Sequence, residues 1–201
     1  MSPKTYLIVL KNHQPSEQLA SECLLSAERF NWNVEVFPAV NGNTITEQTW
    51  LDYGLKNSGH RPADLTYKGT QGCFLSHYML WKRCAELDQP IIVLEDDAEV
   101  LGPIPEIVTD KDLIKLHDPR QMHEHKKLGS WAPGAFAYWL TPQGAKKIID
   151  WAKNDGPGHA DKLIGSNVLN WDYLNPHIVK LGPRIGSSTN PNRYPYREFV
   201  G

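Results

Sequence analysis

The sequence predicts an α/β domain with a mostly parallel central sheet flanked by helices. Two observations carry this. A strand-like run, a helix-like run and a second strand-like run follow one another near the N-terminus (Tyr6–Leu10, Pro15–Phe30, Val34–Phe37). An almost wholly apolar helical stretch then leads into Ile91-Ile92-Val93-Leu94, a short aliphatic run of the kind found in strands buried on both faces. Strand, helix, strand in that order implies a parallel pair joined by a right-handed crossover.

Each element has its own justification. Tyr6-Leu7-Ile8-Val9-Leu10 is the first strand, and Pro15-Ser16 starts a helix with Leu19, Ala20, Cys23, Leu24, Ala27 and Phe30 at helical spacing. Val34–Phe37 is the next strand, Asn41-Gly42-Asn43 a turn, and Glu47–Tyr53 a short helix, followed by a polar loop to Lys68. Gly69-Thr70-Gln71-Gly72 opens a helix from Cys73 to Leu87, apolar on nearly every side. After the Ile91 strand come Pro103 and Pro105, a short strand Leu113–Leu116, and a His- and Lys-rich loop from His117 to Leu128. Ala135–Leu140 is a further strand. Thr141-Pro142 is a helix start, with Ala145, Ile148, Ile149 and Ala152 as the buried stripe. A short helix over Asp161–Leu169 and a strand over His177–Leu181 complete a domain spanning 1–181. An irregular tail follows over 182–201.

Composition excludes some classes. The 201 residues carry a formal net charge of −2, which argues against general affinity for nucleic acid. No apolar run is long enough to span a bilayer. Met1–Thr5 leads directly into a strand without the shape of a signal peptide, so a cytoplasmic location is expected. Three cysteines, Cys23, Cys73 and Cys84, lie in apolar surroundings and read as reduced core thiols.

The chemistry concentrates at Glu95-Asp96-Asp97, which ends the aliphatic strand. Carboxylates there need a counter-charge, because burying an unpaired charge costs several kcal/mol or more. In open α/β sheets ligands bind at the carboxyl ends of strands. Acids in that place suggest a divalent cation on oxygen ligands, and with it a phosphate-bearing substrate. The alternative is an acidic turn that caps the next element. Asn12 and His13 follow the first strand, where a nucleotide base commonly sits in such sheets; the alternative is an ordinary loop.

The order of motifs resembles a family. Gly69-Thr70-Gln71-Gly72-Cys73-Phe74-Leu75-Ser76-His77, followed by Leu94-Glu95-Asp96-Asp97, is similar to the paired signature of glycosyltransferase family 25. These are lipooligosaccharide biosynthesis enzymes related to the collagen galactosyltransferases. Phe37-Pro38-Ala39-Val40-Asn41-Gly42 resembles the family's Ala-Val-Asp-Gly step, with Asn41 in place of Asp. Ala137–Ala145 resembles its late strand-to-helix junction. Gly158-His159-Ala160-Asp161 resembles its Pro-x-Asp element without the proline. The compact length is similar to that of short members encoded by tailed bacteriophages, for which the location would be the host cytoplasm.

The resemblance implies a single GT-A-like nucleotide-diphospho-sugar transferase domain and a metal-dependent, inverting transfer from a UDP-sugar to a hydroxyl. It implies Mn2+ or Mg2+ as cofactor. Asp97 would be the direct metal ligand, Glu95 would orient the ribose or a metal-bound water, and Asp96 would face away. His177 would complete the metal site. Asn12, Asn41, Gly72, Ser76 and His77 would line the donor site, and Asp161 would be the base. For several of these a structural role is the alternative: Gly72 as a close-packing residue, Ser76 and His77 as groups bonded to backbone or core, Asp161 as a helix cap. The acceptor would be a surface-glycan saccharide or hydroxymethylcytosine in phage DNA. For DNA, the basic residues Lys111, Lys115, Arg120, Lys126 and Lys127 with His117, His123 and His125, or Arg184, Arg193 and Arg197 with Tyr194 and Tyr196, would hold phosphates. No protein partner is expected. Two other functions use the same residues: a metal-dependent phosphohydrolase, and a nucleotide or sugar binder without turnover.

Overall fold

The computed structural model describes residues 3–55, 67–119, 134–165 and 167–182. Strand β1 (Lys4–Val9) is buried over five of its six residues and leads through a turn at Asn12 into helix α1 (Gln14–Glu28). His13 caps α1, its Nδ1 accepting the Ser16 N–H, and a proline occupies the first turn, where a missing N–H costs nothing. Strand β2 (Val34–Pro38) ends in a 3-10 turn over Gly42–Thr44, and helix α2 (Glu47–Asp52) begins with a capping box between Thr46 and Thr49. Helix α3 (Lys68–Leu87) carries the chain to β3 (Ile91–Glu95), and a tight turn continues it into β4 (Ala98–Val100). Then come β5 (Leu113–Lys115), β6 (Ala137–Leu140), α4 (Pro142–Asp155), α5 (Ala160–Ile164), β7 (Trp171–Tyr173) and β8 (Val179–Leu181).

The main sheet has six strands in the order β2-β1-β3-β6-β5-β7. Three of its five pairings are parallel (β1 with β2, β1 with β3, β5 with β7), so the expected α/β architecture with a mainly parallel sheet is what the chain adopts. Alternate residues face opposite cores. Tyr6, Ile8, Ile91, Val93, Tyr138 and Leu140 pack against α3 and α4. Leu7, Val9, Ile92, Leu94, Ala137 and Trp139 pack on the other face, with α1 and the β4/β8 ribbon. The first crossover runs from β1 outward to β2; the second returns past β1 to β3. Strand order therefore reverses at β1, and a crevice opens at the carboxyl ends of β1 and β3.

Four details differ from expectation. Strand β6 runs antiparallel to β3 and to β5, a direction that sequence order alone does not reveal. The strand expected at His177–Leu181 is shorter and leaves the main sheet to pair with β4. Strands β4 and β7, three residues each, are too short to show a period. Helix α3 starts at Lys68 rather than Cys73, so Gly69–Gly72 form its first turns, and α5 stops at Ile164 rather than Leu169. The expected tail from Gly182 lies, from residue 183 on, outside the described residues.

Candidate functional site

A cleft of about 400 Å³ occupies the crevice, a size usual for small-molecule sites. Its floor is Ile8 and Leu10 of the first strand and its exit, with His13 beyond. One wall is Ala39–Asn43, after β2. The opposite wall is the start of α3: Tyr67, Lys68, Gly69, Gly72, Cys73, Ser76 and His77. Glu95 and Asp96 close it from β3.

Backbone packing sets the shape of this cleft. A Cβ at Gly42 would lie 1.7 Å from the carbonyl oxygen of Lys68, and one at Gly72 would lie 2.4 Å from that of Val40. The β2 exit and α3 thus touch main chain to main chain, which only glycine permits. Ser76 clamps the contact: its hydroxyl donates to the Gly72 carbonyl at 2.7 Å and accepts the Val40 N–H at 2.9 Å. Asn41 caps the 3-10 turn through its side chain, which accepts the Asn43 N–H at 2.9 Å. These residues line the cleft and also hold it together, so the structural roles weighed for Gly72 and Ser76 are real contacts.

The three acids point differently. Glu95 is fixed by its N–H, which donates to Phe136 at 2.8 Å, and its side chain is 28% exposed at the cleft. One carboxylate oxygen is 2.9 Å from His77 Nε2 and 3.9 Å from Cys73 Sγ. Asp96, expected to face away from Glu95, borders the cleft, and its carboxylate is bonded to Ser16 of α1. Burial pushes its carboxyl up to about 6; a hydrogen bond from the Ser16 hydroxyl opposes this, and the charge of Glu95 adds to it. Asp97, expected to hold the metal, is not among the cleft's lining residues; its carbonyl accepts the Gly182 N–H at 2.7 Å. Period-2 alternation carries Glu95 to the α3 face with Ile91 and Val93, and the turn after it then breaks the period.

Other predicted residues separate from this group. Asn12 has φ 59°, is exposed, and donates its N–H to Glu17 Oε1 at 2.9 Å; its neighbour His13 reaches the cleft instead. His177 does not come to the acids. In the ribbon Leu181 pairs with Ala98 next to the acids, and the strand runs away from them toward Val179 and His177. Asp161 lies in the first turn of α5 rather than at its cap, the position held by His159. Its neighbours Ala160, Leu163 and Ile164 pack in the α3-side core, which sets α5 on the side of the sheet that Glu95 faces.

Lys115 and His117 were expected in a basic surface strip, but both are buried, at 0% and 1% exposure. The Lys115 ammonium donates to the Gly134 carbonyl, and burial lowers it to about 7, against the opposing pull of Asp161 and Glu95. His117 Nδ1 is 3.1 Å from the Ala137 carbonyl, and its ring packs on Phe136 with centroids 4.0 Å apart. Lys111 bonds to Asn170 at 3.0 Å. The remaining basic residues of both strips, Arg120 to Lys127 and Arg184 to Arg197, lie outside the described residues. The expected thiols are as read: Cys23 and Cys84 are buried, Cys73 is half-buried, and all three are free. No helix among the described residues is long and apolar enough to cross a membrane.

The donor set suits a divalent cation. Glu95 and Asp96 both border the cleft, and carboxylate oxygens are the ligands that manganese and magnesium prefer. Cys73, His77 and Glu95 also bring one sulfur, one nitrogen and one oxygen within 4.8 Å of one another.

Comparison with known proteins agrees with the motif order. The model of "Glycosyltransferase family 25 (LPS biosynthesis protein)" matches residues 2–117. A "Glycosyltransferase 25 family member" of Anopheles gambiae is 32% identical over 146 residues, 58% of this chain and 24% of that protein. A "Procollagen lysyl hydroxylase and glycosyltransferase" of Acanthamoeba polyphaga mimivirus is 27% identical over 217 residues, covering 90% of this chain and 24% of the relative. The chain thus spans about a quarter of the length of these curated relatives. Among solved structures, mouse xyloside xylosyltransferase 1 in its apo form aligns with TM-score 0.45 and 10% identity over 81% of this chain and 79% of its own. Because the family match takes in more than half of the chain, from β1 through the acids to the end of β5, the protein belongs to glycosyltransferase family 25.

Proposed function

We propose that this protein is a metal-dependent, inverting glycosyltransferase that uses a UDP-sugar and transfers its sugar to a hydroxyl acceptor. The observation that carries the reading is the placement of Glu95 and Asp96, in a chain of this family, inside a cleft at the point where strand order reverses. The floor of Ile8 and Leu10 and the amides of Asn41 and Asn43 suit a nucleobase and its sugar. The diphosphate would lie toward the start of α3, where the first N–H groups, the helix dipole and Lys68 favour an anion.

A divalent cation bound there would offset the charge that builds on the departing diphosphate. Glu95 and Asp96 would hold it, with Asp97 contributing from the turn. Inversion requires a base for the acceptor hydroxyl. Asp161 is proposed for that role, since its charge is felt at Cys73 and Lys115 on the side of the sheet that Glu95 faces. A saccharide hydroxyl is the acceptor put forward ahead of hydroxymethylcytosine, because two members of the strip that would hold DNA phosphates, Lys115 and His117, are buried.

The test is UDP release from a panel of UDP-sugars with manganese, without acceptor, with a saccharide, and with DNA containing hydroxymethylcytosine. Release that requires the saccharide supports the reading. Release that requires DNA keeps transfer and replaces the acceptor. Release without any acceptor at rates matching transfer would identify a hydrolase, and saturable UDP binding without turnover for any pair would identify a binder.

A further inference from the structure

His77 sits in a chain of hydrogen bonds that ends on the cleft. Trp81 Nε1 donates to Tyr138 Oη at 2.9 Å. Tyr138 Oη is 2.8 Å from His77 Nδ1, and His77 Nε2 is 2.9 Å from Glu95 Oε1. Trp81, His77 and Tyr138 are at most 1% exposed, whereas the Glu95 side chain is 28% exposed. Two elements build this row. His77 and Trp81 are four apart on α3 and share a face. Tyr138 stands opposite Val93 on the neighbouring strand, one alternation before Glu95 on the same face of the sheet. The Tyr138 and His77 rings stack, with centroids 5.8 Å apart.

For a singly protonated His77 ring beside an ionised Glu95, the donors and acceptors order the protons. An ionised Glu95 only accepts, so Nε2 of His77 carries hydrogen. A lone pair there would face the carboxylate at 2.9 Å. Nδ1 of the neutral ring is then an acceptor, and the Tyr138 hydroxyl donates to it. The Tyr138 oxygen in turn accepts from Trp81. Every hydrogen in the row points toward Glu95 and each group is satisfied. The reverse tautomer would set Nδ1–H and Trp81 N–H on the same phenolic oxygen and leave the tyrosine proton without an acceptor among these groups.

We infer that Tyr138, anchored by Trp81, is a positioning residue that acts through His77 to hold the Glu95 carboxylate in its orientation toward the donor. The inference rests on the reading of the cleft as a donor site, but its first test does not. In protein labelled with 15N-histidine, two-bond correlation spectra report the tautomer of His77 in the wild type. The expected result is protonated Nε2 and unprotonated Nδ1; protonated Nδ1 would overturn the relay, whatever the cleft binds.

The second test is Tyr138→Phe, which keeps the ring and removes the hydroxyl. The Nδ1 resonance should move as its hydrogen bond is lost, and KM for the donor should rise about 10-fold, as expected when a group supporting a ligand is removed. Because the cation that Glu95 would hold offsets charge building on the departing diphosphate, kcat should fall as well. Lowered thermal stability with an unchanged donor KM would show a merely structural tyrosine and overturn the inference. A cobalt titration giving ligand-field absorption of a four-coordinate site that disappears in His77→Gln would make His77 a metal ligand, also against it. Failure of the donor reading itself would show separately, as absence of UDP binding in a wild type that still has the expected tautomer.

Discussion

Replacing Asp96 by asparagine should stabilise the metal-free protein at neutral pH, by an amount that depends on pH in a defined way. The Asp96 carboxyl is raised from 3.8 to about 6, chiefly because burial disfavours its charge. Below pH 3.8 the group is protonated in folded and unfolded chains alike, and the wild type carries no penalty. Between 3.8 and about 6 the unfolded chain ionises while the folded one keeps its proton, so wild-type stability falls as pH rises. Above about 6 both are ionised and the penalty is constant. The two pKa values differ by about two pH units, each worth about 1.4 kcal/mol, which gives a ceiling of about 3 kcal/mol. Partial exposure at the cleft screens the charge and brings the expected value to about 1–2 kcal/mol. Asparagine keeps the shape and can still accept from Ser16. Denaturant unfolding of wild type and Asp96→Asn, with a chelator present at pH 4 to 8, measures the difference. It should be near its minimum at pH 4, grow to pH 6–7 and then level off. A difference that is flat across this range, or that falls with pH, would refute the argument that burial raises this carboxyl.

Other perturbations have equally definite outcomes. Gly72→Ala places a Cβ 2.4 Å from the Val40 carbonyl and should destabilise the protein by about 1–3 kcal/mol in thermal or denaturant unfolding, with UDP binding weakened; a loss below about 0.5 kcal/mol would show that the wall yields freely. Asp112→Ala removes the acceptor of two Lys147 contacts at 2.7 and 2.9 Å and of the Asn170 N–H at 2.8 Å, so a stability loss of about 2 kcal/mol is expected without change in donor KM. Asp97→Ala, compared with Glu95→Gln, separates the acids: both should lower transfer in manganese if Asp97 reaches the cation, whereas full activity of Asp97→Ala would assign the site to Glu95 and Asp96. Asp161→Asn should lower kcat by about 10²-fold or more while UDP affinity stays the same, and unchanged turnover would remove it as the base.

Several elements were legible because their signals are local. The apolar run of β1, the proline at the start of α1, the Thr141 cap and Pro142 of α4, and the aliphatic run of β3 each fix an element from its own residues. The direction of β6 was not legible, since a strand's sequence does not state which way its neighbour runs. Nor were β4 and β7, whose three residues fall below any period. The candidate site divides in the same manner. Period 2 already places Glu95 on the face of Ile91 and Val93, and hence beside α3, where His77 waits. The turn at Asp96-Asp97 has no such period, so alternation does not read out which way these two acids face. Tyr138 and Trp81 read as ordinary core aromatics; only the pairing of β6 with β3 reveals their hydroxyl and indole N–H as part of a polar row.

Lys115 shows why the exceptions to core-building rules gather where they do. In Leu113-Ile114-Lys115-Leu116 a lysine takes a strand position that is fully buried. Register sets it opposite Tyr138, which is itself opposite Val93, so Lys115, Tyr138 and Glu95 share one face of the sheet across three strands. Asp161 acts on the same lysine from α5. A buried ammonium held near 7, a buried histidine and tyrosine in one hydrogen-bonded row, and a carboxyl raised to about 6 each cost stability that an apolar residue in the same place would not. Elsewhere this sheet is packed mainly with aliphatic and aromatic side chains, the exceptions including Thr5 on β1 and Asp112 before β5, the latter paired with Lys147. Polar and charged groups are thus concentrated around the carboxyl end of β3, the end at which the reversal of strand order opens the crevice. Local rules that agree across the rest of a domain and fail together at one place mark that place as functional, and here the failures converge on the cleft reached independently from topology and from Glu95.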